Sequence, residues 1–167
     1  SGDPWFNVKG GQATYKMHMT VSDKDFDLFL DKMTDALRQN GLLHKITPGP
    51  DFVKNSKQYG KTITIYGDPQ SSENTINLFK NIVDVAKDLH ENYGVDGISM
   101  TDLQSKDANL QYEIPVPGTG NLVYYTVEQV KIGEYSQILP YDQRNQKLSE
   151  YWGSGPLDNL YWDSNPF

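Results

Sequence analysis

The sequence predicts an α+β fold in which two strand–helix units pack on a mixed or mostly antiparallel sheet. Residues 13–21 alternate polar and apolar side chains with the period of a half-buried strand, and the next segment carries apolar residues at helical spacing. The same strand–helix order recurs between residues 61 and 94. Helices with one apolar stripe must bury it against another element, so both units are expected to share one core.

The first unit consists of the strand "ATYKMHMTV" and a helix over residues 22–41. Ser22, with Asp25 three residues later, is a variant of the capping box, and Gly41 stands where a helix-ending glycine is expected. "LLHKIT" is expected to form a short strand that ends at Pro48. The residues predicted to face the core are Phe26, Phe29, Leu30, Met33 and Leu37.

The second unit consists of the β-branched strand "KTITIYG" and a helix over residues 71–94, which Gly94 closes. "GISMTDL" follows as a loop or strand, and then come "LQYEI", the turn "PVPGTGN" and the strand "LVYYTVEQV". The residues of this helix predicted to face the core are Ile76, Phe79, Ile82, Val83, Val85 and Ala86.

The length of 167 residues suits a single domain. We divide it into an N-terminal segment 1–14, an α+β core 15–135 and a C-terminal extension 136–167, which is irregular and rich in aromatic residues. Exposed aromatic side chains are costly, so the extension is expected to dock on the core. The docking residues are expected to be Trp152, Leu157, Leu160, Trp162 and Phe167.

Composition excludes several classes of function. A net charge of −7 argues against a nucleic-acid partner, and no apolar run approaches the roughly 20 residues that cross a bilayer. The absence of cysteine removes disulfides and thiolate nucleophiles and agrees with a cytoplasmic protein. The arginines are Arg38 and Arg144 alone, so an anion site must use lysines, hydroxyls and backbone N–H groups.

The first strand places Lys16, His18 and Thr20 on one face. Taken alone, that alternation is typical of the solvated side of an antiparallel strand. Lys45, however, interrupts an apolar run, where it either extends its ammonium group to solvent or is partly buried. The loop "KNSKQYGK", residues 54–61, supplies lysines and small residues as phosphate sites do, without the spacing of a Walker loop.

Two further observations concern the histidines. His44 and His90 are expected to be structural or to face solvent. "HMTV" fits half of the motif of two-histidine phosphoesterases, but the equivalent second strand, "TITIY", contains no histidine.

Six segments in this order resemble the phosphothreonine lyase family: "YKMHMTV", "LHKIT", "NSK", "GKTITIYGD", "GISMTDL" and "YWDSNPF". The resemblance is closest to the lyase domain at the N-terminus of class III and class IV lanthipeptide synthetases, and it runs from about Tyr15 to Phe167. It implies a phosphothreonine lyase-like fold and β-elimination of phosphate from phosphoserine or phosphothreonine in a precursor peptide. The products are dehydroalanine or dehydrobutyrine, no metal or cofactor is used, and kinase and cyclase domains belong to the same polypeptide.

The resemblance also implies roles for individual residues. Lys45 resembles the general base that removes the Cα proton, and His18 resembles the general acid that protonates the leaving phosphate. Lys16 and Lys57 resemble phosphate-binding cations. The candidate substrate contacts are Asn55, Ser56, Lys61 and Tyr125.

The family also uses arginines late in the domain, whereas the two equivalent segments here are "TDLQSK" and "VYYTVE". Residues that could replace them are Lys61, Lys106, Tyr124, Tyr125 and Arg144. Two other functions stay open beside a synthetase lyase domain: a phosphopeptide-binding module without catalysis, and a free-standing phosphothreonine lyase effector.

Overall fold

A computed structural model describes residues 6–8, 11–47, 57–67, 72–131, 134–137 and 167, with side chains described for 15–47, 57–67, 75–126 and 167. The strands are β1 Phe6–Val8, β2 Gly11–Met19, β3 His44–Ile46, β4 Ile63–Tyr66, β5 Ile114–Pro115, β6 Val123–Lys131 and β7 Glu134–Gln137. The helices are α1 Phe26–Gln39, α2 Ser72–Tyr93 and α3 Met100–Ser105, with 3-10 helices at Asp23–Asp25 and Asn109–Tyr112.

The described strands form one seven-stranded sheet in the order β3-β4-β2-β6-β5, with β1 paired to β2 and β7 paired to β6. Every pairing in this part of the chain is antiparallel. β2 is central, and its pairing with β6 runs from Gln12↔Val130 to Met19↔Val123. The predicted α+β class is therefore confirmed, and the sheet is the antiparallel variant of the prediction.

Both long helices pack on one face of the sheet. Met17 and Met19 of β2 and Ile65 of β4 are fully buried there. On the helices, Phe29, Met33, Leu37, Phe79, Ile82, Val83 and Ala86 are buried and Ile76 nearly so, as the helical spacing predicts. Phe26, Leu30 and Val85 are only partly buried at the margin of this core. Complete burial of such a side chain stabilises the fold by about 1.5–3 kcal/mol.

The predicted helix ends agree with the backbone. Gly41 and Gly94 have φ of 61° and 65°, the left-handed conformation that ends a helix at low steric cost for glycine. The predicted start of the first helix is wrong: a 3-10 helix follows Ser22 and α1 begins only at Phe26. The Ser22 hydroxyl bonds the Asp25 carboxylate at 3.1 Å instead of capping a backbone N–H.

Two segments differ from the sequence predictions, and a third, "LQYEI", had no element assigned from the sequence. "GISMTDL" contains α3, because Ser99 caps its N-terminus by accepting a hydrogen bond from Asp102 N at 3.2 Å. Most of "LQYEI" is a 3-10 helix that turns Leu110 inward, and only Ile114 joins the sheet. β2 begins at Gly11, so the sheet already includes the end of the N-terminal segment 1–14.

Phe167 is the described residue of the C-terminal extension that tests the docking prediction. Its ring centroid lies 5.2 Å from that of Tyr15, 5.3 Å from Tyr125 and 5.7 Å from Phe79. This last residue therefore packs against the core, as predicted. The other four predicted docking residues lie outside the described part of the chain: Trp152, Leu157, Leu160 and Trp162.

Among the described residues, none of the helices combines the length and apolar content that crossing a membrane requires.

Candidate functional site

The sheet face opposite α1 and α2 carries the polar residues of β2. Cross-strand register aligns Lys45, Thr64, His18 and Tyr124 in one row across β3, β4, β2 and β6. Directly opposed residues of an antiparallel pair lie on the same face, so Lys45 and His18 face the same side of the sheet. One strand separates them, which puts the backbones of β3 and β2 roughly 10 Å apart.

A second row lies beside the first and contains Tyr66, Lys16 and Thr126. The Lys16 ammonium stands 5.3 Å from the centroid of the Tyr66 ring, within the range of a cation–π interaction. Lys16 is half-buried, and Lys45 is exposed on the terminal strand β3. Of the two alternatives for Lys45, the solvent-extended one is confirmed.

A covering layer, residues 98–112 with the turn 57–60, packs over the β6 end of the first row. Its apolar contacts centre on Tyr124 and involve Leu103, Ala108, Leu110, Tyr59, Ile98 and Met100. Beside it, His18 is 1% exposed and Thr20 is 0% exposed. The interpretation of this face as a solvated surface is therefore wrong at its centre, because sequence elements far from β2 cover it.

His18 has a buried acidic partner. Its Nδ1 lies 2.8 Å from Glu113 Oε1, and the two side chains are only 1% and 6% exposed. Glu113 stands between the 3-10 helix Asn109–Tyr112 and β5, 95 positions from His18 in sequence. Sequence reasoning missed it, and the one available signal was an acidic residue between Tyr112 and Ile114 in "LQYEI".

Thr20 joins the covering layer to the sheet. Its hydroxyl donates to Asn121 O at 2.6 Å and accepts from Ile98 N at 2.8 Å. Gly97 passes so close to this point that a Cβ would lie 1.9 Å from Asn121 O, so only glycine fits there. Both hydrogen-bonding capacities of the buried threonine hydroxyl are thus used.

Tyr124 adds a further bond in the same place. Its hydroxyl donates to Ile98 O at 2.9 Å, and burial raises its pKa to about 12. The phenol therefore stays protonated and acts as a donor over the whole neutral range. Tyr124 is the neighbour of His18 in the first row, whereas Lys106, another candidate replacement for the missing arginines, is exposed after α3.

Lys57 lies in the covering layer rather than in either row. Its ammonium group pairs with the Asp107 carboxylate, which also accepts from Gln111 Nε2 at 3.1 Å. These two hydrogen bonds hold the pKa of the Asp107 carboxyl below its usual value, and the bond from Lys57 has the larger effect. Lys57 and Asp107 are both exposed, so an anion from solution has access to the pair.

Of the remaining predicted contacts, the structure describes Tyr125 and Lys61. Tyr125 is 1% exposed and lies on the helix-covered face, edge-on to Tyr15 at 6.0 Å, because it neighbours Met17 in the register. Lys61 is buried just before β4. Asn55, Ser56 and Arg144 lie outside the described residues.

The other two histidines have structural partners. His44 Nδ1 donates to Leu42 O at 2.8 Å, and His90 Nδ1 lies 2.9 Å from Asp96 Oδ1 and 3.2 Å from Val95 O. Both are half-buried, in agreement with the prediction of structural roles. Within the described residues, no cluster of three or more His, Cys, Asp and Glu side chains could hold a metal ion.

A cavity of about 330 Å³ opens beyond the end of β2, beside the covering layer. Its walls include Val21, Tyr59, Thr62 and Ile98, with Asp23 and Asp102 among its acidic residues. It contains none of the four residues predicted to act in catalysis or phosphate binding.

No protein-family model matches this chain, and no curated protein shows significant similarity to it. The rows of the sheet and the buried histidine–carboxylate pair are therefore the grounds for a functional conclusion. Chemically, the face offers the exposed Lys45 amine, an imidazole with a fixed partner and the Lys16 ammonium group, and the covering layer adds the Lys57 ammonium group. Such a set suits proton transfer next to a bound anion.

Proposed function

We propose that this chain is a phosphoserine/phosphothreonine lyase domain of a lanthipeptide synthetase. It would eliminate phosphate from a phosphorylated precursor peptide and leave dehydroalanine or dehydrobutyrine. The observation that carries the proposal is the shared row of Lys45 and His18, an amine and an imidazole on one face with one strand between them. In the proposed complex the two side chains flank a single residue of the bound peptide.

The proposed reaction is a β-elimination. The nitrogen lone pair of Lys45 takes the Cα proton, the C–H electron pair forms the Cα=Cβ bond, and the Cβ–O bond breaks towards the phosphate. The His18 imidazolium gives its proton to the departing phosphate oxygen. General acid and general base catalysis each contribute about 10²–10⁴-fold in enzymes, so both residues have a measurable share.

Two lysines support binding of the phosphate. Lys16 stands in the row next to His18, with its ammonium group over the Tyr66 ring. Lys57 pairs with Asp107 at the surface, where an exposed ion pair is weak and a phosphate dianion can compete with the carboxylate. Two lysines bind phosphate less specifically than arginines do, and kinase and cyclase domains on the same polypeptide would compensate by raising the effective peptide concentration.

Mass spectrometry of a phosphoserine peptide incubated with the protein tests this proposal. Elimination gives a product one water lighter than the unphosphorylated peptide, and this product is expected with EDTA present as well. Lys45→Ala and His18→Ala are each expected to slow its formation by about 10²–10⁴-fold. Lys80→Ala, which removes an exposed lysine from α2 on the other face, is the matched control.

The other outcomes of this experiment are equally informative. A peptide that returns to serine would indicate a phosphoesterase, and one that stays bound but unchanged would indicate a phosphopeptide-binding module. Elimination that occurs only at a phosphothreonine within a folded protein kinase would favour a free-standing effector. Full activity in Lys45→Ala or His18→Ala would refute the assigned roles.

A further inference from the structure

The His18–Glu113 pair is the most completely buried acid–base contact among the described side chains. Oε1 of Glu113 lies 2.8 Å from Nδ1 of His18, and 95 positions of chain separate the two residues. The side chains are 6% and 1% exposed, so water does not compete for the contact. A buried carboxylate without a hydrogen bond costs several kcal/mol, which makes this pairing obligatory for the folded chain.

The chemistry of the contact determines which ring nitrogen carries the proton. An ionised carboxylate only accepts hydrogen bonds, so Nδ1 must donate to Oε1. In the part of the chain that the structure describes, no hydrogen-bond partner is found for Nε2 of His18. The ring thus has one nitrogen fixed by the protein, an arrangement that a carboxylate imposes on imidazoles in many catalytic sites.

We infer that Glu113 is a positioning residue for the proposed elimination: it holds the His18 ring so that Nε2 carries the proton that is passed to the leaving phosphate oxygen. Glu113 touches neither peptide nor phosphate and acts through the imidazole. This inference rests on the proposed lyase function for its catalytic meaning. The orientation of the ring and the state of Nδ1 can be tested independently of that function.

Nitrogen-15 NMR of the histidine rings in the wild-type protein is the first test. His18→Gln, compared with His44→Gln and His90→Gln, assigns the signals. The expected result is a His18 ring whose neutral form is protonated at Nδ1. A neutral ring protonated at Nε2, with Nδ1 accepting from a protonated Glu113, would overturn the inference whether or not the protein is a lyase.

Glu113 variants give the second test, on the phosphoserine peptide. Glu113→Gln keeps the shape of the side chain but lets an amide N–H face Nδ1, which favours the wrong tautomer. Its kcat is expected to fall by about 10²-fold or more while KM changes by less than about threefold. Glu113→Asp, which retains a carboxylate, is expected to have a kcat at least about tenfold higher than that of Glu113→Gln.

Asp102→Asn provides the matched control, since it converts an exposed carboxylate of the covering layer to an amide away from His18. It is expected to keep wild-type kcat and KM. Thermal unfolding followed by circular dichroism checks that Glu113→Gln is folded at the assay temperature. Unchanged kcat in a folded Glu113→Gln, or a loss confined to KM, would overturn the positioning role, whereas an inactive wild-type protein would refute the lyase proposal instead.

Discussion

Met17 and His18 are neighbours on β2, point to opposite faces of the sheet and are both almost completely excluded from solvent. Met17 lies under two amphipathic helices in an apolar cluster. His18 and Thr20 reach the same degree of burial through hydrogen bonds to Glu113 and Asn121, which lie 95 and 101 positions away in sequence. One strand is therefore buried by two kinds of interaction.

The difference has a physical meaning. Apolar packing accepts any side chain of suitable volume, whereas a buried polar group requires a partner of the right chemistry at the right distance. The helix-covered face is therefore expected to tolerate volume-conserving substitutions that the polar face does not. The following four predictions test that contrast, in order of decreasing effect on stability.

Met17→Ala removes a fully buried side chain from the helix-covered face. It is expected to lower the free energy of unfolding by about 2–5 kcal/mol, measured by urea denaturation, because it leaves a cavity. Met17→Leu, the volume-conserving control, is expected to cost less than about 1.5 kcal/mol. Equal losses in the two variants would show that this face is as demanding as the polar one.

Thr20→Val keeps the shape of a buried side chain on the polar face but leaves Asn121 O and Ile98 N without their partner. The free energy of unfolding is expected to fall by about 1–3 kcal/mol, because a buried polar group without a partner loses its hydration with no compensating hydrogen bond. Thr34→Val is the control, because Thr34 bonds only carbonyl groups of its own helix, Leu30 O and Asp31 O. A Thr20→Val protein as stable as wild type would remove the contrast between the faces.

Tyr124→Phe removes one hydrogen bond to Ile98 O and is expected to cost about 1 kcal/mol at neutral pH. The pKa of Tyr124 is raised from 10.0 to about 12 in the folded protein, so the unfolded chain loses its phenolic proton first. Stability should fall as pH rises from 10 towards 12 in the wild type, and less steeply in the variant. Tyr93→Phe, at an exposed site, is the control; parallel pH profiles for wild type and Tyr124→Phe would contradict the prediction.

Asp107→Asn breaks the surface pair with Lys57, and the φ of 50° at this position suits asparagine. Exposed ion pairs add little stability, so the urea midpoint is expected to stay unchanged. If Lys57 binds phosphate, loss of the competing carboxylate should lower KM for the phosphopeptide, and Lys57→Ala should raise it. A higher KM in Asp107→Asn and a lower KM in Lys57→Ala would show that Lys57 belongs to the covering layer and does not bind the phosphate.

The sequence predicted the elements that have a clear period. The α1 and α2 stripes and the alternation of β2 follow from local patterns, and so do Gly41 and Gly94 at the helix ends. The placement of Lys16 and His18 on one face followed from the same alternation. Neither the cross-strand row with Lys45 nor the burial of that face could be predicted, because both depend on which strands pair and on what packs above them.

Glu113 and Tyr125 also show that local sequence patterns do not predict long-range contacts. Glu113 has no local pattern that relates it to His18, and only the folded 3-10 helix and β5 bring it within hydrogen-bond distance. The sequence offered both Tyr124 and Tyr125 as replacements for the missing arginines and only Tyr125 as a substrate contact, yet Tyr124 is the one beside His18. The register of β6 decides between them, since one residue of shift exchanges the faces of a strand.

The pairing of β2 with β6 also sets an order of events during folding. β2, β3 and β4 can associate as soon as the first 66 residues are available, but β6 closes the other side of β2 with contacts that span more than 100 residues. Contacts so distant in sequence form late and slow the folding of a chain. During synthesis, Lys45 and His18 can therefore come together on one sheet before Glu113 leaves the ribosome, and His18 acquires its acidic partner only with the last layer of the fold.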